Sequence, residues 1–387
     1  MKALFILNSA VEASFTSLSA LTQRVNNIWR GRRRLPRATG KRFVKREDLD
    51  AGSGNNFSTR SGGGTTAAPS CRGCPSILTA EFRIILFIAP IFFLSAQPTT
   101  TPPPPLTQFE RAQLQIGLEQ RHFSCGFIDG REGKRTTRAI AAFQENQKLP
   151  ITGTLDSNTK NLLQPLSDPF TYLTITESDL LQITPPLSTW IEKSQQKTLG
   201  FHSLWELVAE RHHAAQRFIK ELNPSITEPK LGDQLLVPNL QGSLPLPKID
   251  SLRITLSETS IQGFDLTGLI QCHFACSIAA DKQKRPTGTL TVKNYAPNPN
   301  YTFDPELFKA AALQEKITKK LIIPPGPNNP VGTAWIGLSL PGYGIHGTPI
   351  PEEISATQSH GCFRLCNWNA EKLLKMIRIG MTVSIQE

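Results

Sequence analysis

From Pro247 to the C-terminus the chain is written in short runs that alternate apolar and polar residues, a period-two texture that limits this region to a β-rich fold. Residues 252–256 and 260–265 predict the two strands of a hairpin, and 288–292, 334–340 and 381–385 predict three more. Residues 369–378 instead carry helical spacing, with Leu373, Leu374 and Ile377 inward, Asn367 or Asn369 as the cap and Gly380 as the stop. The expectation for 247–387 is a sandwich of mixed sheets with one late helix, in a multidomain chain.

Within that region Cys362 sits in Ser359-His360-Gly361-Cys362-Phe363-Arg364, and His346 lies upstream in Tyr343-Gly344-Ile345-His346. A free thiol with a pKa of about 8.5 is only a few per cent thiolate at neutral pH, so a nearby imidazole can make it a nucleophile. Gly361 leaves the backbone N–H groups uncluttered beside the cysteine, where an oxyanion would form. The competing uses are an inert buried thiol, or a zinc site of His346, His360, Cys362 and Cys366. A disulfide from Cys366 to Cys362 is a further option, which would switch the thiol off. Tyr295 and Tyr301 flank an Asn/Pro-rich loop and are candidates for the border of a cleft.

Upstream, Leu114, Leu118, Ile140 and Phe143 stand at helical spacings on either side of the turn-like 127–133, and a third short helix ends near Leu163. Residues 106–166 are therefore expected to form a small three-helix domain. In 185–240, an amphipathic helix begins at Ser203, a second stops at Pro224, and 231–238 reads as turn and strand. His212 and His213 point apart on a helix and are taken as surface residues. Cys272 and Cys276 are taken as small buried side chains of a strand.

The net charge of +11 is misleading as a whole, because residues 1–83 hold 14 Lys and Arg against 5 Asp and Glu and so carry nine of those charges. That basicity belongs to a leader rather than to a nucleic-acid-binding face. Residues 84–94 are an eleven-residue apolar run, too short to span a bilayer but suited to a signal-peptide core, with cleavage expected after Ala96. Its depth in the chain suggests that 1–83 is a disordered leader or a mis-assigned start, with translation beginning near Leu78; an uncleaved membrane anchor is the rival. Residues 97–105 form a Thr/Pro-rich spacer. Seven cysteines make no disulfide framework, and Cys71 and Cys74 form a CxxC with no second pair.

Three resemblances attach to these segments. His346 spaced thirteen residues from His360-Gly361-Cys362-Phe363-Arg364, together with Arg285-Pro286-Thr287-Gly288-Thr289, resembles the L,D-transpeptidases with a YkuD-type catalytic domain. Asp129-Gly130-x-x-Gly133 with Phe143-Gln144 and Thr152-Gly153 resembles the three-helix peptidoglycan-binding domain, and 185–240 resembles a divergent LysM module of β-α-α-β form. The L,D-transpeptidase resemblance implies Cys362 as nucleophile and His346 as base, with the Gly361 and Cys362 N–H groups as the oxyanion hole. It further implies His360, Arg364, Ser359 and Tyr343 in substrate binding, and neither metal nor organic cofactor. The implied reaction is a cysteinyl thioester with a tetrapeptide stem, release of D-Ala, and transfer to an amine. The implied partners are peptidoglycan stem peptides and glycan strands, with an envelope protein as another acceptor, and the implied place is the periplasm or wall of a bacterium. Hydrolysis as an L,D-carboxypeptidase and an inactive wall-binding protein are the alternatives.

Overall fold

Thr107 starts the first helix, α1 (Gln108–Gln120): its hydroxyl accepts from the Glu110 N–H while the Glu110 carboxylate accepts from the Thr107 N–H, satisfying two donors that a helix start leaves over. A two-residue strand, β1 (Phe123–Ser124), then α2 (Lys134–Asn146) and α3 (Ser157–Leu162) complete the helical module. Leu114, Leu118, Ile140 and Phe143 close on one core with Phe123 and Leu163. The buried amides explain the motif spacing: Gln115 Oε1 accepts from the N–H groups of Asp129 and Gly130, and Gln144 Oε1 from those of Thr152 and Gly153. Only glycine fits at 130, where φ is +64° and a β-carbon would lie 2.3 Å from the Gln108 carbonyl oxygen.

This computed structural model describes residues 106–356 and 361–387. The leader 1–83 with Cys71 and Cys74, the signal-like segment 84–96, the spacer to 105, and the site candidates Ser359 and His360 lie outside the described residues. Among the described residues no helix is long and apolar enough to cross a membrane.

The central module is β2 (Phe170–Thr174), α4 (Glu177–Leu180), α5 (Trp190–Ser194), α6 (Leu204–Arg211), α7 (Gln216–Leu222) and β3 (Gln234–Pro238). β2 and β3 pair antiparallel from Phe170 opposite Pro238 to Thr174 opposite Gln234. The strand that completes β-α-α-β thus lies upstream of 185, the start expected for the module from its sequence. Residues 185–202 instead carry α5 and pack through Leu187, Trp190 and Leu199 against Phe303 and Ile323. Strand partners are chosen by pairing across the fold, and β2 carries only five residues of local signal. Asn223, after α7, imitates a strand: its side-chain amide exchanges both hydrogen bonds with the Leu236 backbone.

The C-terminal domain contains β4 (Ser251–Thr255), β5 (Ser260–Phe264), β6 (Ile270–Ala275), β7 (Gly288–Pro297), β8 (Tyr301–Phe303), α8 (Lys309–Glu315), β9 (Leu321–Ile323), β10 (Ala334–Leu338), β11 (Gly344–His346), β12 (Phe363–Arg364), α9 (Asn367–Met376) and β13 (Thr382–Gln386). Rather than two separate sheets, one nine-stranded sheet runs β1-β6-β5-β4-β13-β7-β10-β11-β12. The long β7 gives its first residues to β13 and its later ones to β10, so it carries the sheet from one arm to the other. Ile254, Ile261 and Phe274 of one arm and Ile336, Ile345 and Phe363 of the other share a single core with Leu373 of α9. Cys272 and Cys276 are fully buried within it.

The three modules dock as one compact unit. β1 of the helical module adds a parallel strand to β6, with Phe123 opposite His273. His213 is no surface residue: it stacks on Trp368 of α9 at 5.1 Å, and its Nδ1–H donates to Glu119 of α1 at 2.8 Å. His212 likewise turns inward to donate to the Pro238 carbonyl.

Burial holds His213 and His346 down at about 4 and His273 at about 3, against an ordinary 6.5. A lowered histidine pKa means that the unfolded chain binds more protons between the two values, so stability rises with pH across that window. The melting temperature is therefore expected to fall steadily as pH drops from 6.5 toward 4, which a calorimetric pH series checks.

Candidate active site

β10, β11 and β12 present one face to the core and the other outward, as a period of two requires. Ile336, Ile345 and Phe363 are buried on the inner face. On the outer face His346 lies opposite Trp335 and beside Arg364, and Gly337 lies opposite Gly344. Continuing the β11–β12 register by one residue sets Cys362 beside Gly344, two residues from His346 on the same face. At ordinary strand spacing and rise that diagonal is roughly 8 Å between Cα atoms, a span that a thiol and an imidazole leaning together can close.

The side chains have the protonation states that acyl chemistry needs. The carbonyl of Gly347 can only accept, so the 2.7 Å contact to His346 Nδ1 puts the proton on Nδ1 and leaves Nε2 as the basic nitrogen. His346 is held at about 4, chiefly by burial, with the Gly347 bond opposing and the Arg364 charge adding to the fall. The ring is therefore neutral at neutral pH. Burial raises the Cys362 thiol, opposed by a hydrogen bond from the Gly344 backbone, and in this state Sγ donates to the Gly342 carbonyl at 3.5 Å. Both shifts favour a neutral thiol–imidazole pair over a preformed ion pair.

Cys362 is distinguished by access. It is half-buried, whereas Cys125, Cys272, Cys276 and Cys366 are buried, and all five stand outside any disulfide. Desolvation raises Cys125 and Cys272 to about 12, and it raises Cys276 and Cys366 well above the ordinary thiol value too. Among the described residues no group of three or more His, Cys, Asp or Glu side chains is placed to hold a metal ion.

Arg364 is half-buried at the end of β12, its backbone paired both ways with Ser277 and its guanidinium within the field of Glu353. The Tyr343 ring approaches to 3.8 Å of the point where a Gly361 β-carbon would stand. Burial raises the Tyr301 phenol, and the charge of an ionised Cys362 would raise it further. Tyr295 pairs with Ile336 and so belongs to the opposite face from His346; it does not line this surface.

Three further features escape a linear reading. Trp335 stacks on His346 with centroids 5.7 Å apart. Gly344 is obligatory beneath it, since a β-carbon there would lie 2.6 Å from the Trp335 ring and 2.9 Å from the Ile336 carbonyl. Asn367, expected as a helix cap, points away from the helix start and accepts from the Thr348 N–H at 3.0 Å; the cap position is Cys366, with no side-chain cap bond. The only signal for Trp335 is its place one residue out of phase with the buried positions Ala334 and Ile336 of its strand. Gly344→Ala is expected to destabilise the fold by about 1–3 kcal/mol, the usual range for overpacking, as a shift in denaturation midpoint at unchanged slope.

Residues 264–385 match the family described as "L,D-transpeptidase catalytic domain" (YkuD), and residues 108–163 match "Putative peptidoglycan binding domain". Among curated relatives, "Putative L,D-transpeptidase YkuD" of Bacillus licheniformis is 21% identical over 182 residues, covering 46% of this chain and 92% of that protein. "Putative L,D-transpeptidase YqjB" of Bacillus subtilis is 28% identical over 151 residues, covering 38% and 76%. An L,D-transpeptidase crystal structure from Enterococcus faecium matches with a TM-score of 0.26 at 14% identity, over 40% of this chain and 56% of that one, so the chain spans little more than half of it. With the cysteine, histidine and neighbouring arginine on one strand face and both segments matched, residues 264–385 are an L,D-transpeptidase catalytic domain of the YkuD family, preceded by a domain of the peptidoglycan-binding type.

Proposed function

We propose that the protein is a cell-wall L,D-transpeptidase acting through a cysteinyl thioester. The observation that carries this is the half-buried Cys362 beside a neutral His346 whose Nδ1 is committed to the Gly347 carbonyl. Sγ attacks the carbonyl carbon of the third stem residue as its proton passes to His346 Nε2. The tetrahedral intermediate collapses to the thioester, and D-Ala leaves as an amine carrying the proton from His346. An incoming amine then attacks the thioester, gives its proton through His346, and departs as the new amide while the thiol is restored.

The N–H groups of Gly361 and Cys362 are proposed as the oxyanion hole, where one lost donor costs about 3 kcal/mol of transition-state stabilisation. Arg364 and Tyr343, with Ser359 and His360, are proposed to hold the stem; the planar guanidinium suits a carboxylate. The helical module is proposed to bind peptidoglycan and the central one, on its β-α-α-β order, to be LysM-like. Such a substrate implies action outside the cytoplasm.

Incubating the full chain with a tetrapeptide stem should release D-Ala and leave the remaining tripeptide as an acyl adduct on Cys362, seen by intact mass. With an amine acceptor present, a cross-linked product replaces the adduct; water alone would yield the free tripeptide. Release of D-Ala with no adduct on Cys362 under rapid quench contradicts the thioester route.

A further inference from the structure

The peptide that fixes His346 is itself held from another module. Asn367 is fully buried at the start of α9, and its Oδ1 accepts from the N–H groups of Thr348 at 3.0 Å and Thr333 at 3.3 Å. Its Nδ2 donates to the Pro327 carbonyl at 3.1 Å and to both carboxyl oxygens of Glu210, at 3.2 and 3.0 Å. Glu210 belongs to α6 of the central module, 157 residues away in the chain.

The amide oxygen lies close against two glycines, each of which must lack a side chain to leave it room. A β-carbon at Gly332 would stand 2.1 Å from Asn367 Oδ1, and one at Gly347 would stand 2.3 Å from it. Gly347 is the residue whose carbonyl receives His346 Nδ1–H. An unbroken set of contacts therefore runs from the Glu210 carboxyl through the Asn367 amide to the 347–348 peptide and the imidazole.

We propose that Glu210 and Asn367 are positioning residues for His346, so that helix α6 of the central module is a working part of the active site. The inference rests on the acyl-transfer reading only in taking His346 as the base. A misplacement of about 1 Å can cost 100-fold, and partners that orient metal-bound imidazoles are worth about 10- to 100-fold. Burial raises the Glu210 carboxyl to about 8, with the Asn367 bond opposing and Glu206 and Glu371 adding to the rise. A glutamine there keeps an acceptor for Asn367 at little cost in charge, which makes Glu210→Gln the conservative control.

The test is the rate at which iodoacetamide alkylates Cys362 in the full chain, followed by peptide mass spectrometry from pH 5 to 9, with His346→Ala as the floor. Glu210→Ala is expected to slow alkylation at pH 7 about tenfold and to move its pH profile toward that of His346→Ala. Glu210→Gln should stay within about twofold of the parent. Asn367→Ala should fall as far as Glu210→Ala, and the double variant no further. If Glu210→Ala does not fold, Glu210→Asp, one methylene too short to reach Asn367, is read in the same way. A folded Glu210→Ala or Glu210→Asp alkylating at the parent rate overturns the proposal, and so does a Glu210→Gln as slow as Glu210→Ala. Alkylation needs no stem peptide, so the expected pattern without D-Ala release would sink the acyl-transfer reading alone. Parent alkylation rates with D-Ala release intact would sink the positioning role alone.

Discussion

Cys362→Ala is expected to bring D-Ala release from a tetrapeptide stem down to the uncatalysed background, a loss of at least about 10⁴-fold. No other described cysteine can stand in, because Cys125, Cys272, Cys276 and Cys366 are buried and their thiols are pushed far up by desolvation. His346→Ala should cost about 10²–10⁴-fold, the usual worth of a positioned general base. Its ring is neutral above about 4, so activity is lost as pH falls through that value rather than through the ordinary 6.5. A pH–rate profile of the parent protein checks the limb. An acid limb near 6.5, or D-Ala release that survives Cys362→Ala, counts directly against the mechanism.

Glu119→Ala carries the largest expected effect on stability. The Glu119 carboxylate is almost fully buried, with Lys372 Nζ at 2.5 Å and His213 Nδ1 at 2.8 Å. Burial opposes its charge, but the Lys372 charge and the two hydrogen bonds hold it well below the ordinary carboxylate range. His213 stays neutral, since burial and Lys372 lower it to about 4 despite the carboxylate, so the charged pair is Glu119 with Lys372. Removing one member of a buried pair costs about 3–5 kcal/mol, because the other is left without compensation. A denaturant titration at pH 7 should show that loss, with faster amide exchange in β1, the strand that welds the helical module to the sheet. A lowered carboxylate pKa supplies stability above the ordinary value and loses it on acidification, so the penalty of the substitution shrinks at low pH. A loss below about 1 kcal/mol at pH 7 would mean that the modules dock without this pair.

The first turn of α9 shows what could be read and what could not. Asn367 and Asn369 are the residue types that cap helices, and their spacing supported that use. Instead Asn367 reaches Glu210, and Asn369 reaches Ser124 and Gly126 of the helical module. Trp368 and Lys372, beside them, take His213 and Glu119. A cap and a cross-module amide have the same local sequence, and only the partner differs. The adjacent His212 and His213 misled for the same reason, as did the start of the central module.

Local patterns alone determined the strand texture after Pro247, the three small helices, and the cysteine and histidine that carry the chemistry, because alternation, helical spacing and motif distance are all short-range properties. Tertiary structure decided which carbonyl orients His346, which module holds that carbonyl, and which strand closes the central unit. Those choices join residues as far apart as 157 positions for Asn367 with Glu210 and 253 for Lys372 with Glu119. A period shows which face of an element is covered; what covers it is settled only when distant segments exclude water together.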